Sequence, residues 1–142
     1  MTSPARLVAT LLAVTPAEYV RFTADWLSRA DDLLPPPPFA GAPVIDALVA
    51  AAAEHAARES GRGAPTWTNE PSRFLAHPWW GGRPLPSQFD LAVVRLVPHS
   101  LVPRLWRQRY ARAWLYRRGV TTTPPAFRRR GLIIGQESLT SM

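Results

Sequence analysis

Four consecutive prolines, Pro35 to Pro38, limit how this chain can fold more than any other feature. Proline has no backbone N–H, and its ring collides with the carbonyl four residues earlier, so no helix can run through such a stretch. The run reads as a stiff polyproline connector, and helices must fit on either side of it.

Before the connector two helices are expected. Ser3-Pro4 has the pattern of an N-cap followed by proline at the first helical position, and Leu7, Val8, Leu11 and Leu12 form one stripe. Thr15-Pro16-Ala17-Glu18 has capping-box spacing. The helix it opens places Tyr19, Phe22, Trp26 and Leu33 near one face and is expected to end before Pro35. After the connector, Pro43 opens a third helix reaching about Ser60, with Gly61 suited to the C-terminal cap. Ile45, Leu48, Val49 and Ala52 supply its buried stripe, and Ala50 to Ala53 permit close approach of a neighbour.

From Gly61 to Gln88 the chain holds five prolines, the pair Gly81-Gly82, and three of the six tryptophans, Trp67, Trp79 and Trp80. Arg73-Phe74-Leu75 suits a single helical turn, and the remainder reads as an ordered loop held down by its aromatic rings. Leu91 to Val97 fits a strand or a short helix. A helix is expected from about Ser100 to Arg118, a linker from Thr121 to Pro125, and a short strand or buried tail at Leu132-Ile133-Ile134. The whole is a mainly α, single small helical domain over 1–142: an acidic helical part at 1–60, a Pro/Trp-rich loop at 61–90 and an Arg-rich part at 91–142, with room for one or two short strands.

The charge is segregated. Residues 1–70 carry eight acids and five arginines, a net of −3; residues 71–142 carry two acids and twelve arginines, a net of +10. All seventeen basic residues are arginine, a bias that high alanine and proline content attributes in part to a GC-rich genome. Codon usage does not by itself sort charge between halves. Such asymmetry marks a site for phosphate, nucleic acid or an acidic protein.

The absence of cysteine removes disulfides, thiolate metal sites and cysteine nucleophiles. His55, His77 and His99 lack metal-ligand spacing, Asp31-Asp32 is the only paired-acid motif, and no nucleophile-elbow or phosphate-loop pattern is present. A non-enzyme without metal or cofactor is therefore expected. No window approaches the roughly 20 apolar residues that span a bilayer, and the apolar stretch Leu7 to Val14 lacks a signal-peptide cleavage site, so no membrane is expected and the cytoplasm is the default location.

In the helix expected at Ser100 to Arg118, Val102, Leu105, Trp106, Tyr110, Ala113 and Trp114 spread over a broad apolar face, with Arg104, Arg107 and Arg118 opposite. Arg109 and Arg112 fall within the apolar arc and are expected to pair with acids of the first half. Three readings compete: a core helix with a solvated arginine face, nucleic-acid contact by arginines and stacked tryptophans, and docking of an acidic protein. Arg128-Arg129-Arg130 forms a second positive cluster between Phe127 and the apolar Leu132-Ile133-Ile134. The expected partner surface is Arg104, Trp106, Arg107, Tyr110, Trp114, Arg118, Arg128, Arg129 and Arg130 on an Arg-rich stretch from about Arg73 to Arg130.

Trp67-Thr-Asn-Glu-Pro-Ser-Arg73-Phe74-Leu75 with Pro78-Trp79-Trp80, and Pro125-Ala-Phe127-Arg128-Arg129-Arg130-Gly131-Leu-Ile-Ile134, resemble the C-terminal helical region of small actinobacterial repressor-type and antitoxin-like regulators. The match covers about a fifth of the chain. It implies a helical domain with a regulatory, partner-binding role, the partner in some members being a nucleotidyltransferase-like toxin. No recognition-helix pattern precedes Trp67, so DNA binding does not carry over. The reading reached is an antitoxin-like module that binds an acidic protein, with direct nucleic-acid binding as the alternative.

Overall fold

Helix α3 (Pro43–Glu59) is 17 residues long and is the element on which most of the other described elements pack. In the computed structural model, residues 2–77, 79–81, 123–134 and 136–139 are described. Every α3 residue from Ile45 to Glu54 is buried. A helix buried on all sides is a core helix, wider in its apolar demand than the one stripe expected of it. Ala47 and Ala50 to Ala53 make this possible, because a methyl group lets neighbouring backbones approach closely. The helix ends in a Schellman cap: Gly61 N–H donates to Arg58 O at 3.1 Å and Arg62 N–H to Ala57 O at 2.8 Å. Gly61 has φ +73°, a conformation that glycine adopts without a Cβ penalty.

Helices α1 (Pro4–Leu12) and α2 (Tyr19–Leu27) are nine residues each, too short to hold in isolation. Both pack on α3 and on each other. Leu7, Val8 and Leu11 enter the core, but Leu12 is 56% exposed, since it lies at the edge of the stripe expected to bury it. Ser3 makes no side-chain cap; its carbonyl instead accepts the Trp26 indole N–H at 3.0 Å, tying the start of α1 to α2. Thr15 likewise forms no side-chain cap, and a 3₁₀ turn at Pro16–Glu18 leads into α2.

The second helix stops at Leu27, well short of Pro35. Asp31 is drawn away to the N-terminus, its carboxylate accepting the Thr2 N–H at 2.9 Å. Leu33 then sits in the core without being helical, and its carbonyl accepts the buried Trp67 indole N–H at 3.0 Å.

Beyond α3 the chain makes 3₁₀ turns at Thr66–Asn69 and Pro71–Arg73, the latter starting two residues ahead of the helical turn expected at Arg73-Phe74-Leu75, where Phe74 is extended. Strand β1 (Trp79–Trp80) pairs in parallel with β2 (Leu132–Ile133), Trp79 opposite Leu132. Flanking bonds lengthen the join: Leu75 N–H donates to Arg130 O at 3.0 Å, and Gly81 N–H to Ile133 O at 3.1 Å. Gly81 has no room for a side chain, for a Cβ there would meet the Trp79 ring and Val20 Cγ2. Helices α4 (Pro125–Arg128) and α5 (Gln136–Leu139) complete the described chain. Thr123 and Pro124, expected to be linker, are buried. One core joins Leu7 of α1 to Leu139 of α5. The fold is mainly helical, and among the described residues no helix is long and apolar enough to cross a membrane.

The strand or helix expected at Leu91 to Val97 and the helix expected from Ser100 to Arg118 lie outside the described residues.

Candidate partner-binding surface

Two arginines at the ends of the Arg-rich stretch are not surface residues. Arg73 and Arg130 are each 0% exposed. An arginine leaves water only where its donors and charge are answered, and most of the answer comes from the first half of the chain. Arg73 donates to Asp46 O at 3.4 Å and Pro37 O at 3.3 Å, lies 3.7 Å from the Glu70 carboxylate, and is sandwiched between the rings of Phe39 and Trp67. Asp46 in turn accepts the Ala40 N–H at 2.7 Å, so the exit from the polyproline run is fixed to α3. Burial holds the Arg73 guanidinium below its usual pKa, with Glu70 and Asp46 opposing that shift.

Arg130 reaches across to α3. Its Nη2 donates to the buried Glu54 carboxylate at 3.0 Å and to Thr68 O at 2.7 Å, and its Nη1 to Ala126 O at 2.8 Å. The reason for its burial is local. The chain turns at Gly131, φ +84°, and sends Leu132 to Ile134 into the core, which pulls Arg130 in beside them. Burial lowers the Arg130 pKa most, the Glu54 charge opposes this, and Arg129 and Arg58 lower it further. Arg130 therefore leaves the expected partner surface and becomes a brace. The pairing with acidic residues that was assigned to Arg109 and Arg112 is made, among the described residues, by Arg73 and Arg130; Arg109 and Arg112 lie outside them.

Arg129 and Arg128 remain. Arg129 is 41% exposed, sits 3.5 Å from Glu54 Oε1, donates to Asn69 Oδ1 and lies over the Phe74 ring. Arg128 is half-buried at the end of α4. A further arginine comes from α3: Arg58, 51% exposed, faces Glu54 Oε2 at 3.2 Å. That contact is an ion pair without hydrogen-bond geometry, and Oε2 keeps no hydrogen bond. Sequence reasoning missed Arg58 because it belongs to the acidic half. The available signal was its spacing, four residues after Glu54 on a helix.

Of the nine residues expected to form the surface, Arg128 and Arg129 are therefore at or near the surface and Arg130 is inside. Arg104, Trp106, Arg107, Tyr110, Trp114 and Arg118 lie outside the described residues.

Two other concavities are present. A cleft of about 410 Å³ between α2, α3 and α5 is lined by His55, Glu59, Ser28, Ser60, Arg62 and apolar side chains. His55 packs edge-on against Phe127, 3.9 Å from Glu59, and burial lowers its pKa. A smaller cleft of about 280 Å³ lies between α1 and α2, bordered by Arg6, Asp25 and Arg29. Among the described residues no three His, Asp or Glu side chains converge as a metal site would require. Comparison with protein-family models, with curated proteins and with solved structures finds no match to this chain.

Proposed function

We propose that this chain is a non-enzymatic regulatory, antitoxin-like module that docks an acidic protein partner through an arginine and aromatic surface in its second half. The observation that carries this reading is the excess of positive charge in the second half, of which two described arginines remain outside the core. Arg73 and Arg130 are consumed by the core, yet Arg128 and Arg129 stand beside them at the surface, and the second half as a whole carries a net of +10. Arg129 is held by Asn69 and Phe74. A guanidinium already fixed by neighbours loses less entropy on binding than a free one. The resemblance of the Trp67–Trp80 and Pro125–Ile134 segments to antitoxin-like regulators supports the same reading, under which the partner would be encoded beside this chain.

Co-expression with the product of the adjacent reading frame tests the reading. A stoichiometric complex is expected from the wild-type chain and its loss from the Arg107→Ser/Arg128→Ser/Arg129→Ser variant. A complex that survives the triple substitution overturns the reading. The same charge excess favours direct nucleic-acid binding as a second reading. That reading requires retention of DNA or RNA at low salt with a steep loss as salt rises, because each neutralised phosphate releases counterions.

A further inference from the structure

Glu54 is the only carboxylate within ion-pair distance of Arg58, Arg129 and Arg130 among the described residues. One negative charge faces three positive ones. Arg130 is fully buried and spends its terminal N–H groups on Glu54, Thr68 O and Ala126 O. Arg58 and Arg129 flank the same carboxylate from opposite oxygens and are both partly open to solvent, so the uncompensated charge of the cluster is carried by these two. Each guanidinium has five N–H donors, and neither uses more than a few of them here.

Building on the reading above, we propose that Arg58 and Arg129 form the seat for a carboxylate side chain of an acidic peptide segment, which supplies the negative charge that Glu54 alone does not. Three observations support it. The like-charge crowding is geometric: the guanidiniums of Arg58, Arg129 and Arg130 all lie within 3.5 Å of the one Glu54 carboxylate. The two guanidiniums are positioned by contacts that the ligand does not supply, Arg129 by Asn69 and the Phe74 ring, Arg58 by its helical pair with Glu54. The cluster is also a point of charge and not a track. Glu59 follows Arg58 directly and is exposed, and Glu70, half-buried and paired with Arg73, follows Asn69, so no run of positive charge extends from the pair on those sides. An aspartate or glutamate side chain suits the bidentate geometry of arginine.

The test is titration of the full chain with a hexaglutamate peptide, followed through the Nε–Hε resonances of the arginines and by calorimetry. Arg58→Gln/Arg129→Gln is expected to weaken peptide binding tenfold or more, while Arg21→Gln, on a remote exposed arginine, leaves it unchanged. Because Arg58 and Arg129 also screen a buried carboxylate, Glu54→Gln is the second variant. It keeps a hydrogen bond to Arg130 and removes the compensating charge, so hexaglutamate is expected to bind severalfold more tightly. No binding of hexaglutamate by the wild type, equal binding by a folded Arg58→Gln/Arg129→Gln chain, or unchanged or weaker binding by a folded Glu54→Gln chain overturns the proposal. So does binding of duplex DNA through the same two arginines in place of the peptide. These outcomes are separate from failure of the broader reading, which is decided by the complex with the neighbouring gene product and by Arg107 and Arg128.

Discussion

Arg130 and Glu54 form a buried ion pair, and such pairs matter more when broken than when replaced. Removing one partner strands the other charge in the core, at a cost of about 3–5 kcal/mol, whereas an apolar replacement of both is often near neutral. Arg130→Met is therefore expected to destabilise the chain by about 3 kcal/mol, the lower end of that range, because Arg58 and Arg129 still answer part of the Glu54 charge. The double variant Glu54→Leu/Arg130→Met is expected to recover most of the loss. Urea denaturation of the wild type, both single variants and the double variant measures the coupling; an additive cycle contradicts the brace. His55 gives a prediction of a different kind. Burial lowers its pKa below 6.5, so the native state holds it neutral while the unfolded chain binds a proton more readily. Stability is then complete above pH 6.5 and declines as the pH falls below it. The decline between pH 7.5 and 5.5 is expected to be shallower in His55→Gln, measured as the urea midpoint at each pH.

At the scale of elements, the fold depends on small residues where neighbours meet. Ala50 is fully buried on α3, with other elements packed around the helix, and Ala50→Leu is expected to cost about 1–3 kcal/mol by overpacking. Gly81→Ala is expected to cost a similar amount, since a Cβ there cannot be placed without moving Trp79 or Val20. Thermal melts monitored by circular dichroism test both, and a Gly81→Ala chain as stable as the wild type contradicts the contact. Helices α1 and α3 were legible in the sequence because proline and glycine punctuate them: Pro4, Pro43 and Gly61 stand where the structure starts or stops a helix. The end of α2 was not, because Asp31 leaves the helical path to bond Thr2, a residue 29 positions away. Leu132-Ile133 was readable as a strand or a buried tail; that it pairs with the tryptophans at 79 and 80 was not, since nothing local specifies a partner 53 residues away. The arginine run was legible as a charged cluster, but not which of its members is buried. A run of three arginines has no internal pattern that says which one points inward. That choice is made by Gly131 and by the core on either side of it. Arg58 lay hidden for the converse reason, as an unremarkable arginine in an acidic segment whose role depends on Arg129 arriving from the far end of the chain.

For the molecule as a whole, the charge segregation and the core are two aspects of one design. The acidic half supplies Glu54 and the carbonyls of Pro37 and Asp46, and the basic half supplies the arginines that lock onto them, so each half answers buried polar groups of the other. The same closure zips Leu75 and Gly81 against Arg130 and Ile133, while Phe127, Leu132 and Ile134 complete the environment of α3. A molecule built this way has no described part that opens alone at low cost. Native-state amide hydrogen exchange is the appropriate measurement, because it gives an opening free energy at each site. The amides of Ala51 in α3, Leu75 ahead of β1 and Gly81 after it are expected to exchange through the same opening, with equal free energies under conditions where closing is fast. Arg130→Met is expected to lower all three by the same amount. If the Leu75 and Gly81 amides exchange several kcal/mol more easily than Ala51, the parallel join is a local clasp on an independently stable three-helix body. Equal values, lowered together by a single substitution at residue 130, require that the two oppositely charged halves fold as one unit.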